Sequence, residues 1–289
     1  MLITTVIPVF NRADVVGQAI DSVLAQELPA ECSLRVLIVD DGSTDNLSGA
    51  LARFGGKIDC IRHPKNAGAP AARNTGVAAA ADGLVAFLDS DDLWLPGKLI
   101  RQIDANRRNG WLASCHAFHF TPAGRPGIVA PSYRTGTLGL DDFAWGCFVG
   151  PGSTLMCQRD VLVEVGPQDQ TFRRHEDWDW FLRFAGKHRL GFLAEPLART
   201  FPSPHANAPE VIAALARLHA KHARHLSARQ RRHFLAGMDL ERAAARYRSG
   251  NLPGMVMPLV RSILRAPMAN AALAAVLHNR SGRRGSEHA

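Results

Sequence analysis

The sequence predicts a doubly wound α/β fold, in which a mostly parallel central sheet is flanked by helices and followed by a basic helical appendage. Three observations predict it. Continuous apolar runs alternate with helical periodicity through the first 110 residues. The runs lack the polar alternation of half-exposed strands, so their strands are covered on both faces. Each run is followed by a helix, the arrangement that gives parallel pairing through right-handed crossovers.

"LITTVIPVF" (2–10) is the first strand, and "ADVVGQAIDSVLAQ" (13–26) places Val16, Ile20, Val23 and Leu24 on one helical face. "LRVLIVDDGSTD" (34–45) runs from a buried strand into turn chemistry. "IDCIRHP" (58–64) is a short third strand and "APAARNTGVAAAA" (69–81) an alanine-rich helix. "GLVAFLDSDD" is the fourth strand, and "LPGKLIRQIDANRRN" (95–109) a helix with Pro96 near its first turn. From about 111 to 204 the pattern turns irregular, with one clear helix, "HEDWDWFLRFAGK", at 175–187. After the proline-rich "FPSPHANAP" (201–209) come three basic helical stretches, and "NRSGRRGSEHA" reads as a frayed end. The division expected is a domain over 1–204, with halves of about 1–110 and 111–204, and an extension over 205–289.

Charge follows the same division. Residues 205–289 hold 14 Lys and Arg against 4 Asp and Glu, whereas residues 1–204 hold 20 against 22. A basic appendage suits an anionic surface, and its apolar stripes (Val211, Leu215, Leu218; Leu259, Ile263, Leu264) suit either a membrane interface or packing against protein. The five cysteines are odd in number and form no CxxC, which points to a reducing compartment. Met1 leads into an apolar run with no basic flank, so no signal peptide is expected, and no uncharged apolar run is long enough to cross a bilayer. The expected location is the cytoplasm, at the inner face of the cell membrane if the basic helices touch lipid.

In open parallel sheets, ligands bind beyond the carboxyl ends of the strands. Polar clusters stand at all four ends here: Asn11–Arg12, Asp40–Asp41–Gly42–Ser43, Asn66–Ala67–Gly68 and Asp89–Ser90–Asp91. Asp89 and Asp91 are one residue apart, so on extended backbone their side chains point the same way. Two such carboxylates repel each other unless a cation lies between them. A divalent ion that also holds phosphate oxygens fits this pattern and would stabilise a departing diphosphate. Asp92 reads as a cap for the following helix or a support behind that pair.

The segments "TVIPVFNR", "VDDGSTD", "NAGAPAARNTG", "FLDSDD" and "HEDWDWFLR", in this order over residues 2–200, resemble glycosyltransferase family 2, inverting enzymes of GT-A fold. The resemblance implies transfer of a sugar from a nucleotide diphosphate, a UDP-sugar most commonly, to the hydroxyl of a glycan, polysaccharide or lipid-linked saccharide, with Mn²⁺ or Mg²⁺. It places Pro8, Phe10 and Arg12 under the base and ribose. Asp40 and Asp41 match the family's acidic pair, one of which reads the base edge. Asn66, Gly68, Arg73 and Asn74 match its Asn–Gly–Arg–Asn stretch, where Gly68 allows close backbone approach and Arg73 meets phosphate oxygens. Asp89 and Ser90 belong to the donor site, and Asp89 and Asp91 hold the metal, with His205 as a further candidate ligand. Glu176–Asp177 matches the catalytic acidic pair, with Asp177 as the base that takes the acceptor proton. Trp178 and Trp180 are candidates for an acceptor platform, "GPGSTLM" (150–156) for its lining, and Arg183 for pairing with Asp179 or reaching the diphosphate. Partners expected are the donor, a saccharide or lipid-linked acceptor, a membrane surface and a second copy in a homodimer, and no nucleic acid.

Three other enzyme classes fit less well. A sugar-phosphate nucleotidyltransferase needs a glycine-rich basic loop where this chain has "PVFNRAD". A dinucleotide oxidoreductase needs GxGxxG at that turn. A phosphatase with a DxD nucleophile carries it on an early strand. A non-catalytic sugar-nucleotide-binding protein would dispense with Glu176–Asp177.

Overall fold

The computed structural model describes residues 1–121, 127–202 and 207–267. Their contacts gather into two units, one of residues 1–143 and 147–202, the other of residues 144–146 and 207–267.

The first unit opens with β1 (Leu2–Val9), α1 (Val16–Leu24), β2 (Ser33–Asp40), α2 (Leu47–Leu51), β3 (Asp59–Arg62), α3 (Ala69–Ala79) and β4 (Leu84–Phe87). β5 (Leu93–Trp94), α4 (Lys98–Asn109), β6 (Ala113–Phe120), β7 (Ile128–Ala130), β8 (Gly136–Leu138) and α5 (Leu140–Trp145) follow. It continues through α6 (Pro151–Thr154), β9 (Met156–Gln158), α7 (Arg159–Val165), α8 (Glu176–Ala185) and β10 (Leu190–Thr200). Among the described residues, all ten strands share one sheet of order β3-β2-β1-β4-β9-β6-β10-β5, with β7 beside β6 and β8 beside β10. β1 pairs in parallel with β2 and β4, and β2 with β3, so strand order reverses between β1 and β4. That reversal opens a crevice above their carboxyl ends.

The core follows from the apolar runs. Ile3, Ile7, Val36 and Ile38 pack with Val16, Ile20, Val23 and Leu99, all nearly or fully buried. Each such side chain contributes about 1.5–3 kcal/mol on leaving water. β3 departs from the two-face-buried expectation: it is the sheet edge, and three of its four residues are exposed. Pro96 lies outside α4, which starts at Lys98 behind Gly97 in the left-handed region (φ 78°).

The expectation of irregular chain from 111 to 204 is overturned. Five strands and four helices occupy its described residues, and β9 is inserted antiparallel between β4 and β6. α4 docks on β6 through a buried polar seam. Gln102 Nε2 donates to the carbonyls of Ser114 (2.8 Å) and Thr154 (3.0 Å), tying α4, β6 and α6 together. Lys98 is buried with Nζ 3.8 Å from the centre of the Trp94 ring, and burial pushes its pKa down to about 7.

The second unit is helical: α9 (Ala208–His222), α10 (Ala228–Arg248) and α11 (Leu252–Arg265). Asn207, Ser227 and Asn251 cap their first turns, Ser227 in a reciprocal box with Gln230. Asp239 of α10 is buried between Arg242 (2.9 Å) and Arg265 of α11. α11 turns Leu252, Val256, Met257, Val260, Ile263 and Leu264 to solvent, each 43–77 % exposed. Among the described residues no helix is long and apolar enough to cross a membrane.

Candidate functional site

Three turns beyond β1, β2 and β3 lock to one another. Asn11, at φ 50°, accepts from the Thr44 backbone (2.8 Å) through its side chain and donates its backbone N–H to Ser43 Oγ (3.0 Å). Asp40 accepts from the Ser43 backbone (2.8 Å) and pairs with Arg62 (3.1 Å). Asp41 accepts from the backbones of Gly68 (2.7 Å) and Ala67 (3.0 Å) and meets His63 Nδ1 (2.8 Å). The acidic pair therefore splits. Asp41 faces the crevice and holds the turn before α3, while Asp40 fixes its own turn and lies outside the crevice lining. Gly68 has φ 95° at the N-terminus of α3, a conformation a side chain would strain.

The crevice above β1 and β4 is a cavity of about 740 Å³. It brings together Pro8, Phe10, Arg12, Asp41, Asn66, Gly68, Arg73, Asp89, Ser90, Asp91 and Glu176. Arg73, buried on α3, reaches Asp89 (2.7 Å) with one guanidinium nitrogen and Glu176 (3.3 Å) with another. Burial alone would lower its pKa, but Asp89 and Glu176 outweigh that and raise it. Arg12 stands 3.8 Å from Asp91. Burial first, and then the charge of Asp89, raise the Asp91 carboxyl above its ordinary value.

Beside this crevice is a smaller cavity of about 360 Å³, which shares Arg73, Asp89 and Glu176 with it and adds Asp177. Its roof is the stretch from Gly150 to Ser153. A Cβ on Gly152 would fall 2.2 Å from Asp89 Oδ2, so only glycine lets this turn approach the carboxylate. Ser153 Oγ accepts from the Asp89 backbone (3.1 Å) and donates to Asp92 (2.5 Å), which also accepts from the Phe201 backbone (3.0 Å). Asp92 thus braces the cavity wall and does not cap α4. Burial, and then Asp89, push its pKa up to about 7.

α8 delivers Glu176 and Asp177 from its first turn, behind His175 at φ 61°. A residue with a side chain rarely adopts that conformation, and such strain gathers at functional sites. Burial, and then Asp177, raise the Glu176 carboxyl above its usual range. Both tryptophans of this helix are buried. Trp178 donates to the Phe143 carbonyl (2.7 Å) and Trp180, which lines the smaller cavity, to that of Gly166 (3.0 Å). Arg183 pairs with Asp179 (3.1 Å) and donates to the carbonyls of Val165 (2.7 Å) and Pro167 (2.8 Å). It anchors that loop and does not line the crevice, which excludes the diphosphate role considered for it. Asn74 exchanges two hydrogen bonds of 2.8 Å with the backbone of Gln168. That clamp sets the path of the chain into Gln170–Arg174, a crevice wall that the sequence reading omitted. The signal available was the "RRHED" run, two arginines separated from the acidic pair by His175 alone.

Among the described residues no three His, Cys, Asp or Glu side chains converge as a complete metal cage. Asp89 and Asp91 are a two-carboxylate set, which suits Mn²⁺ or Mg²⁺ when substrate phosphates complete the shell. After burial, the charge of Asp89 is the second cause of the raised Asp91 pKa. His205, the further candidate ligand, lies outside the described residues.

The model of the family "Glycosyl transferase family 2" matches residues 4–166. An uncharacterised glycosyltransferase of Rickettsia conorii is 39% identical over 206 residues, covering 68% of this chain and 32% of that protein. The chain thus spans about a third of that relative's length. S. aureus TarS (residues 1–349), solved with UDP-GlcNAc, superposes with a TM-score of 0.62 at 14% identity, over 90% of both chains. The mannosyltransferase PcManGT of Pyrobaculum calidifontis, solved with GDP-Man and Mn²⁺, gives a TM-score of 0.60 at 17% identity, over 96% of this chain and 79% of that one. With its crevice at the β1/β4 reversal and acidic residues from the turn after β4 and from α8 on one wall, the chain belongs to glycosyltransferase family 2 and has the GT-A fold.

Proposed function

We propose that the protein is an inverting, metal-assisted glycosyltransferase that moves a sugar from a nucleotide diphosphate, a UDP-sugar in the first instance, to an acceptor hydroxyl. One observation carries this reading: two cavities share a single wall of Arg73, Asp89 and Glu176, and Asp177 lines only the smaller one. A donor in the larger cavity and an acceptor in the smaller one meet at that wall.

In this reading Pro8, Phe10, Arg12 and Asp41 surround the nucleoside. The backbone around Asn66 and Gly68, with Arg73, Arg173 and Arg174, attracts the diphosphate. Asp89 and Asp91 hold the divalent ion, which supplies Lewis-acid stabilisation of the leaving diphosphate. Asp177 takes the acceptor proton as the acceptor oxygen bonds to the anomeric carbon. The bond to the diphosphate breaks on the opposite face, and its electron pair leaves with the phosphate, so the centre inverts without a covalent intermediate. Glu176, tied to Arg73, positions that arginine. The GDP-Man and Mn²⁺ complex of PcManGT and the UDP-GlcNAc complex of TarS support the donor class. The catalytic domain is assigned to 1–204 and the basic helical extension to 205–289.

The deciding experiment is a thermal-shift series with UDP, GDP and dTDP, each with and without Mn²⁺. One nucleotide with Mn²⁺ is expected to raise the melting temperature by roughly 5 °C at saturation, and less without the ion. No shift with any of them would remove the donor assignment.

The exposed apolar face of α11, on a unit rich in arginine, supports peripheral contact with an anionic bilayer and hence a lipid-linked or cell-envelope acceptor. Vesicles containing phosphatidylglycerol are expected to sediment the full chain, and the V256E/V260E variant to stay in the supernatant. If that variant sediments equally, or if light scattering shows a wild-type dimer that the variant abolishes while vesicles bind neither protein, the face serves another purpose.

A further inference from the structure

Asp41 lines the crevice and is held from behind by a residue that does not line it, His63. His63 directly follows β3, and its backbone N–H donates to the Asp40 carbonyl (2.8 Å), so the edge of the sheet places the ring. His63 Nδ1 stands 2.8 Å from Asp41 Oδ1, and Nε2 stands 2.9 Å from Thr75 Oγ1 on α3. A carboxylate only accepts, so Nδ1 carries the proton of the first contact. In the neutral ring Nε2 accepts from the Thr75 hydroxyl, which satisfies both ring nitrogens and fixes the ring between β3 and α3. The side chains of His63 and Asp41 are 16 % and 4 % exposed, so water competes little for these bonds.

These bonds leave Asp41 little spare capacity. Oδ1 accepts from His63 Nδ1 and from the Ala67 backbone (3.0 Å), and Oδ2 accepts from the Gly68 backbone (2.7 Å). The Ala67 N–H is shared, lying 3.1 Å from Oδ2 as well. A carboxylate offers about four lone-pair positions, two on each oxygen. Two donors fill Oδ1, and Oδ2 keeps room for one more. Two of the three donors are backbone groups set by the turn before α3, and the third is the His63 side chain, so the count depends on His63. Nucleobases differ in what they bring to such a carboxylate. Uracil and thymine present a single N–H between two carbonyls. Guanine presents two adjacent N–H donors, which pair with both oxygens of a free carboxylate. At Asp41 the second would meet Oδ1 already filled, and an unmatched buried N–H costs roughly tenfold or more in affinity.

We propose that His63 determines base specificity at the donor site: by occupying Asp41 Oδ1 it leaves this carboxylate one acceptor position, which takes the single N–H of a uracil-type base and disfavours the two-donor edge of guanine. His63 acts through Asp41 from outside the crevice lining, so it is a positioning residue. This inference rests on the nucleotide-sugar donor reading and narrows its base.

The test measures the Kd of UDP, dTDP, GDP and IDP for the full chain with Mn²⁺ by isothermal titration calorimetry. If none of them binds, the donor reading itself fails and takes this inference with it. With binding established, the better of UDP and dTDP is expected to bind roughly tenfold or more tightly than GDP, and their order separates uracil from thymine. IDP has the ring system of GDP without the amino group, so it brings one donor and is expected to bind about fivefold tighter than GDP. IDP no tighter than GDP would mean that ring size decides, and would overturn the proposal. H63A opens Oδ1 and is expected to shrink the preference over GDP roughly fivefold or more. H63N, whose amide N–H stands near the Nδ1 position, should keep most of it. These ratios compare nucleotides on one folded protein, so a general loss of stability in a variant does not move them. GDP bound as tightly as UDP and dTDP by the wild type, an unchanged preference in H63A, or H63N as unselective as H63A would leave the donor reading standing and overturn the role of His63.

Discussion

Asp177→Asn is expected to lower kcat for sugar transfer by about 10²–10⁴-fold, the usual contribution of a positioned general base, with little change in acceptor KM. The substitution is nearly isosteric. Asp177 Oδ1 accepts a hydrogen bond from the Trp178 backbone (2.7 Å), and an asparagine carbonyl accepts the same bond, so the first turn of α8 should stand. What is lost is a group able to take a proton. Asp177 lines the smaller cavity and not the larger one, so the thermal shift by nucleotide and Mn²⁺ should persist in the variant. That combination, donor bound and transfer lost, separates loss of the base from damage to the donor site. Glu176→Gln makes the contrast: Glu176 is paired with Arg73 and lines both cavities, so its loss should disturb donor and acceptor together. If D177N keeps wild-type kcat, the proton goes to another carboxylate, and Asp89 and Glu176 on the shared wall become the candidates.

The part of the molecule legible in sequence is the part governed by local rules. β1, β2 and β4 are unbroken apolar runs ending in turn residues, and helices follow β1, β2 and β3, so their parallel order and the position of the crevice could be read directly. β9 could not be: three residues, Met156–Gln158, carry no periodicity, and they form a strand because β4 and β6 leave a gap between them. β10 was hidden for another reason. It contains Glu195 and Pro196, and its pairing with β6 shifts register on both sides of Pro196, so the alternation that marks a strand is interrupted. α4 was assigned as a helix, but Lys98, Gln102 and Asn106 lie four apart and look like a solvated stripe, whereas all three are buried. The hydrogen bonds Gln102 makes are to residues distant in sequence, which no local window contains. The site shows the same limit. The motif residues could be named, but not the distinction between Asp40, turned to its own loop and Arg62, and Asp41, turned to the crevice. Nor could the commitment of Arg183 to three carbonyls of a neighbouring loop be foreseen, since a guanidinium near an acidic motif looks the same whether it serves substrate or backbone.

Arg73→Met should be costly in both stability and binding, because one buried guanidinium neutralises two carboxylates. Removing a single partner of a buried ion pair costs about 3–5 kcal/mol, since the opposing charge is left without compensation. The low end, about 3 kcal/mol, applies here: Glu176 is only 18 % exposed, but Asp89 at 37 % can recover solvation. The deficit should depend on pH in a defined direction. Burial and Asp177 already raise the Glu176 pKa above its ordinary value, and loss of Arg73 raises it further. A carboxyl whose folded pKa exceeds its unfolded one binds more protons in the folded state, so stability falls as pH rises between the two values. Urea unfolding of R73M should therefore show a larger loss relative to wild type at pH 8 than at pH 5. Arg73→Lys restores a charge but not the fork, so it can meet Asp89 or Glu176 but not both in the observed geometry. It should recover part of the stability while the nucleotide-dependent thermal shift stays reduced. A deficit independent of pH would mean that packing of the arginine stem, and not the charge it places between the two carboxylates, is what α3 contributes to this wall.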